Sequence, residues 1–132
     1  MDRLKGTVFL ALGMGLIVAA IATGLSTRHF VAHASRGEGV VTRLNAGGSH
    51  PEIEFTAASG ETISFPQGGG IFGYRPGQKV QVLYAPEAPS QTACVDAFGA
   101  LWFTPLILSF LGTGFTIGGA SMVASARRSD PA

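Results

Sequence analysis

The sequence predicts a membrane α+β protein: two transmembrane helices flanking a small, mostly antiparallel, barrel-like β domain of the OB or SH3-like kind. Three observations carry that class. Residues 6–25 and 97–126 contain no charged side chain, and about 20 apolar residues in a helix cross the roughly 30 Å hydrocarbon core of a bilayer. Between these runs the hydrophobic period falls to two, as in half-buried strands. The same middle stretch holds the glycines and prolines of tight turns. The expected boundaries are 1–35 for the first helix and its juxtamembrane stretch, 36–96 for the β domain, 97–126 for the second helix and 127–132 for a tail.

The first run has a rival reading as a signal peptide. Arg3 and Lys5 would form its charged start, and Ala32-His33-Ala34 has the form of a cleavage site. The apolar run exceeds the usual 7–15 residues of such a leader, and Arg28, His29 and Phe30 push the site away from it. An uncleaved anchor is expected. Arg3 and Lys5 before the first span and Arg127 and Arg128 after the second favour cytoplasmic termini and an extracytoplasmic middle, although Arg28 and Arg36 oppose that bias. Trp102 and Phe103 suit the aromatic belt at the start of the second span. Pro105 lies in its first turns, where proline is tolerated.

Small residues recur at helical spacing in both runs. Ala11, Gly15, Ala19 and Thr23 fall four apart on the first helix. Gly114 and Gly118 do so on the second, beside a stripe of Gly112, Thr116, Ala120 and Ala124. Such stripes let helices approach closely in lipid. Packing within the chain is the expectation, and a homo-oligomer is the alternative.

In the middle stretch Val40, Thr42 and Leu44 alternate along a first strand. Residues 52–55 and 61–65 alternate on either side of an Ala57-Ala58-Ser59-Gly60 turn, which predicts a hairpin with one buried face. Residues 66–73 form a glycine-rich loop. Arg75-Pro76-Gly77-Gln78 has the proline and glycine of a type II turn. Residues 79–84 make a further strand, and 92–95 a short fifth.

A family resemblance rests on these residues. Gly39-Val40-Val41 is followed by Pro51-x-Ile53-x-Phe55 and Ser59-Gly60-Glu61-Thr62-Ile63-x-Phe65. Then come Pro76-Gly77-Gln78-x-Val80-x-Val82-Leu83-Tyr84-x-Pro86-x-x-Pro89 and Ala93-x-Val95-Asp96, which leads into the tryptophan-bearing second helix. This resembles the bacterial membrane family known as domain of unknown function 3592, over nearly the whole chain. The most specific part is 77–86, and Ala85 departs from an often acidic position. The resemblance implies the helix–β–helix architecture and no reaction; the expected location is the bacterial inner (plasma) membrane. Some members of that family lie beside secreted toxins and look like immunity proteins.

Composition excludes other classes. The chain has 132 residues, a net charge of +1 and one cysteine, Cys94. Nothing here draws it to nucleic acid, and no intrachain disulfide can form. His29 and His33, four apart, would need Glu38 and His50 to complete a metal site. Gly68-Gly69-Gly70-Ile71-Phe72-Gly73 lacks the Lys-Ser/Thr and the helix of a phosphate loop. It reads as a flexible loop whose Ile71 and Phe72 would meet the membrane surface or a partner. Cys94 reads as a small buried hydrophobe. Glu52 and Glu54 share one face of a strand, the solvent face of a half-exposed sheet rather than an acid–base pair. No span contains an ionisable residue, which argues against an ion path. The expected protein is non-catalytic, without cofactor or metal. It sits in the lipid bilayer and binds another protein as an accessory subunit or in a toxin-immunity-like role. Ile71, Phe72 and Tyr74 are the expected partner contacts. Ala11, Gly15, Ala19, Gly114 and Gly118 are the expected helix-packing positions. The alternative is an assembly module in which a second copy packs on those stripes.

Overall fold

The structure, a computed structural model, describes residues 2–45, 47 and 50–129. The expected tail 127–132 therefore lies partly outside the described residues. The chain forms α1 (Asp2–His33), β1 (Ser35–Asn45), β2 (His50–Thr56), β3 (Thr62–Pro66), β4 (Lys79–Tyr84), α2 (Pro89–Thr92), β5 (Cys94–Val95), α3 (Phe98–Leu101) and α4 (Phe103–Arg128). These divide into two compact units, one of Met1–Leu25 with Thr104–Ala132 and one of Ser26–Phe103.

The first unit is a helix pair. α1 has 32 residues and α4 has 26, so each exceeds the roughly 30 Å of a hydrocarbon core at 1.5 Å per residue. Leu4, Val8, Leu12, Met14, Val18 and Ile21 of α1 and Leu106, Phe110 and Ile117 of α4 face outward. An apolar surface all round a helix belongs in a protein core or a membrane, and these side chains lie in no core. Both helices are long and apolar enough to cross a membrane.

The seam between the two helices has a seven-residue repeat. Gly6, Gly13 and Ala20 are the buried positions of α1, and Pro105, Gly112 and Gly119 those of α4. A Cβ at Gly13 would collide with Thr116, and one at Gly119 with the Leu10 amide; at Gly112 it would come within 2.8 Å of Ile17 Cγ1. The absence of side chains therefore sets the approach of the backbones. Phe9 stacks on Phe115 with ring centroids 5.7 Å apart. The intrachain contact thus runs through other positions than the expected Ala11, Gly15, Ala19, Gly114 and Gly118. A Cβ at Gly15, Gly114 or Gly118 would meet nothing within 4 Å, Ala11 is exposed and Ala19 is half-buried. Four-residue spacing precesses by about 40° per step at 3.6 residues per turn, whereas a seven-residue repeat drifts only about 20°. Of the neighbouring expected stripe, Gly112 and Thr116 do meet α1.

The second unit is a five-stranded antiparallel sheet in the order β3-β2-β1-β4-β5. Alternation decides its two faces. Val41, Ile53, Phe55, Ile63, Phe65, Val82, Tyr84 and Val95 point inward and form one cluster with Ala57. Phe55 meets Phe65 edge-on at 5.9 Å and Tyr84 at 5.2 Å. Gly39 lies at the centre of the sheet because a Cβ there would stand 2.9 Å from Val82 and 3.0 Å from Ile53. The register of β1 shifts between Val41 and Arg43, a bulge that raises local twist. The curled antiparallel sheet is a half-barrel, the more open form of the barrel-like domain that the sequence predicts. Two side chains lace its open side. Gln67 Oε1 accepts from the Val95 amide at 2.8 Å, and the Tyr84 hydroxyl accepts from the Ala58 amide at 2.9 Å.

Two boundaries differ from expectation. Thr92 belongs to the single turn of α2 and not to the fifth strand: Pro89 starts that turn, and Thr92 Oγ1 donates to Ala88 O while accepting from the Ala85 amide. The run 97–126 breaks at Trp102 into α3 and α4. Pro105 has no N–H for a carbonyl four residues back, so a helix starting at Phe103 keeps it in the first turn.

Candidate functional site

The glycine-rich loop follows β3. Pro66 ends the strand, and Gln67 turns inward as a buried polar side chain 7% exposed. Its amide donates to Pro51 O, and its Nε2 to Gly68 O. The expectation of a free, flexible loop needs correction, because the next residues are seated. The Gly70 amide donates to Gly99 O at 2.9 Å. A Cβ at Gly69 would lie 2.8 Å from Gly99 O, and one at Gly70 would lie 3.2 Å from the Phe103 ring. The glycine run thus serves close packing on α3. Gly69 and Gly73 also hold positive φ, a region open to glycine.

The expected contact residues fare differently. Ile71 is half-buried against Gly99, and Tyr74 is half-buried on the sheet core. Phe72 is 86% exposed. The chain then turns at Arg75–Gln78, closed by Gln78 N donating to Arg75 O, with Gly77 at φ +86°. Gly77 and Val41 tie that turn to β1.

Apart from the fully buried Leu83, the outer face of the sheet is largely polar and mixed in charge. Arg36 bridges to Asp96 at 2.7 Å, and Lys79 stands 3.5 Å from Glu38. Glu52 and Glu54 share this face, as their spacing predicts. A hydrogen bond from Ser64 at 2.6 Å is the main cause that holds the Glu52 carboxyl below its ordinary value; burial opposes it, while Asn45 and Arg43 assist. A carboxylate so held is a poor proton donor at neutral pH.

Along the β2–β3 hairpin the odd-numbered residues carry the ladder: Ala57 donates to Glu61 O and Gln67 to Pro51 O at its two ends. The backbone groups of Thr62 and Ser64 therefore face away from β2. No strand pairs with that side of β3 among the described residues.

Among the described residues, the remaining polar groups assemble no reactive set. The His29 and His33 rings stack at 4.2 Å, and His33 Nδ1 donates to His29 O at 2.9 Å. No group of three or more His, Cys, Asp or Glu converges among the described residues. Burial pushes the Cys94 thiol up to about 11; Asp96 adds to this and a hydrogen bond with Gln67 opposes it. Such a thiol stays protonated and is a weak nucleophile at neutral pH. Sequence reasoning missed Gln67 and, of the heptad glycines, Gly6, Gly13 and Gly119. A glutamine directly after a strand gives no signal of burial, whereas the seven-residue spacing of Gly6, Gly13 and Ala20 was open to inspection.

No family model matches the chain, and no solved structure matches it. The resemblance to domain of unknown function 3592 thus rests on its motif residues alone. Among curated proteins, immune protein Tsi4 of Pseudomonas aeruginosa is 45% identical over 128 residues, covering 97% of this chain and 88% of that one. At that identity and coverage, the chain belongs to the family of immune protein Tsi4.

Proposed function

We propose that the chain is a non-catalytic immunity protein of the bacterial inner membrane, held by two spans, whose extracytoplasmic β unit binds a toxin protein. The near full-length identity to a protein named as an immune protein carries this reading. The two long apolar helices support the membrane location. Arg3, Lys5, Arg127 and Arg128 support cytoplasmic termini. Of the loop contacts, Ile71 and Tyr74 are largely taken up within the unit, so the loop offers a partner Phe72 alone. The β2–β3 hairpin offers a whole strand edge, the kind of surface that a partner extends by strand addition. Partner capture is therefore assigned to β3.

The assembly alternative rests on Gly114 and Gly118, which face outward with open space beside them. It accounts for the helices and leaves the immune relative unexplained.

A fitness experiment tests the main reading. The gene is deleted in its own host, and the deletion strain is grown in contact with its parent. The deletion strain should be outcompeted and should recover when the chain is supplied on a plasmid. A copy carrying Thr62→Pro, which removes an outward N–H and leaves the β2 ladder intact, should protect less. Equal fitness of deletion strain and parent would contradict the immunity role.

A further inference from the structure

We infer that Phe72, Phe98 and Phe103 form an aromatic anchor that sits in the lipid interface where the second span begins. The inference rests on the membrane-spanning reading of α4. Three large rings stay in the open, one in the loop after β3 and two at the starts of α3 and α4: Phe72 is 86% exposed, Phe98 69% and Phe103 45%. None is needed for the core cluster of the sheet.

Their placement is fixed by backbone contacts. The Gly70 amide is bonded to Gly99 O, and a Cβ at Gly99 would collide with the Gly70 carbonyl. Gly70 also abuts the Phe103 ring. The loop that presents Phe72 is therefore pinned to α3, within four residues of the first residue of α4. A helix of 26 residues starting at Phe103 has its first turn at the bilayer boundary if it spans. Phe72 and Phe98 are then held near that boundary as well.

Charge points to the occupant. No charged residue occurs in 67–74 or in 97–126. The polar outer face of the sheet, with Arg36, Glu38, Glu52, Glu54 and Lys79, suits water or a polar protein. The uncharged aromatic patch suits the headgroup level of a membrane, where aromatic rings concentrate. The occupant is thus a lipid surface, and a protein partner on the same patch is the competing outcome.

The test uses the full chain in phospholipid vesicles and its single tryptophan, Trp102. In a Trp102→Phe background, Phe72→Trp reports the loop, and Phe110→Trp reports α4 about 10 Å along the helix from its start. Both positions are exposed, so neither substitution crowds a core. Emission is measured with lipids brominated near the headgroup or near the chain end. The anchor predicts that shallow bromines reduce Phe72→Trp emission by about half or more, and deep ones by less. Phe110→Trp should be quenched most by deep bromines. Deep quenching at Phe110→Trp with none at Phe72→Trp overturns the anchor while the span stands, and leaves the patch to a protein partner. No quenching at Phe110→Trp overturns the spanning reading and the anchor with it.

Discussion

Gln67 shows how much one side chain can decide in a small open sheet. Its carbonyl oxygen receives the Val95 amide and so joins the end of β3 to β5. Gln67→Leu keeps the volume and leaves that amide buried without its acceptor, which costs about 1–3 kcal/mol. The melting point of the β unit should fall by about 5 °C or more; a shift within error on a thermal melt would show that the half-barrel closes without it. Glu52 gives a pH dependence. Its folded-state value lies below the ordinary one, so its contribution is present above the ordinary carboxylate range and is lost as pH falls through the lowered value. Ser64→Ala should flatten this acid limb and reduce stability at pH 7 by less than ~1 kcal/mol, since the pair is half-exposed. Denaturation followed from pH 7 to pH 3 checks it, and an unchanged acid limb would contradict it. The sharing of a face by Glu52 and Glu54 was legible in the sequence from the period of two. The inward turn of Gln67 was not, because it depends on Val95 arriving from 28 residues away.

At the scale of elements, the sequence told more about strands than about helix faces. Alternation at 52–55 and 61–65 places β2, β3 and their turn, because each strand has one wet face. The apolar runs of α1 and α4 carry no such contrast: in a helix that is apolar all round, only side-chain size distinguishes the packed face. Both runs hold many glycines and alanines, so several stripes compete by eye, and geometry selects the one with the slowest drift. Gly13→Val should separate the helix pair and lower its thermal stability in detergent, because its Cβ has no room beside Thr116. Gly15→Val and Gly118→Val should leave that pairing unchanged. Equal damage from Gly13→Val and Gly15→Val would refute the seam. Loss of an interchain crosslink on Gly118→Val would favour the assembly reading. The break at Trp102 was missed because an uncharged run hides an interruption, although Pro105 marks where the longer helix must restart.

The molecule as a whole carries a β unit with a largely polar outer face and two helices whose outward side chains are apolar. Small units of this size bury too little surface to be robust alone, and anchorage by two spans would place one next to a membrane at all times. The architecture was readable from the hydropathy pattern. A toxin-immunity-like role was only one of two readings, offered by resemblance, because partner binding needs no reactive constellation that a sequence displays; the immune relative favours it over an accessory subunit. The sidedness of the β unit is the claim on which the partner assignment depends. Ser59 is exposed at the tip of the β2–β3 hairpin, so Ser59→Cys in a Cys94→Ala background gives one accessible thiol for a membrane-impermeant maleimide. Labelling in intact cells or spheroplasts is the predicted result. Labelling only after lysis would put the β unit in the cytoplasm and contradict the account.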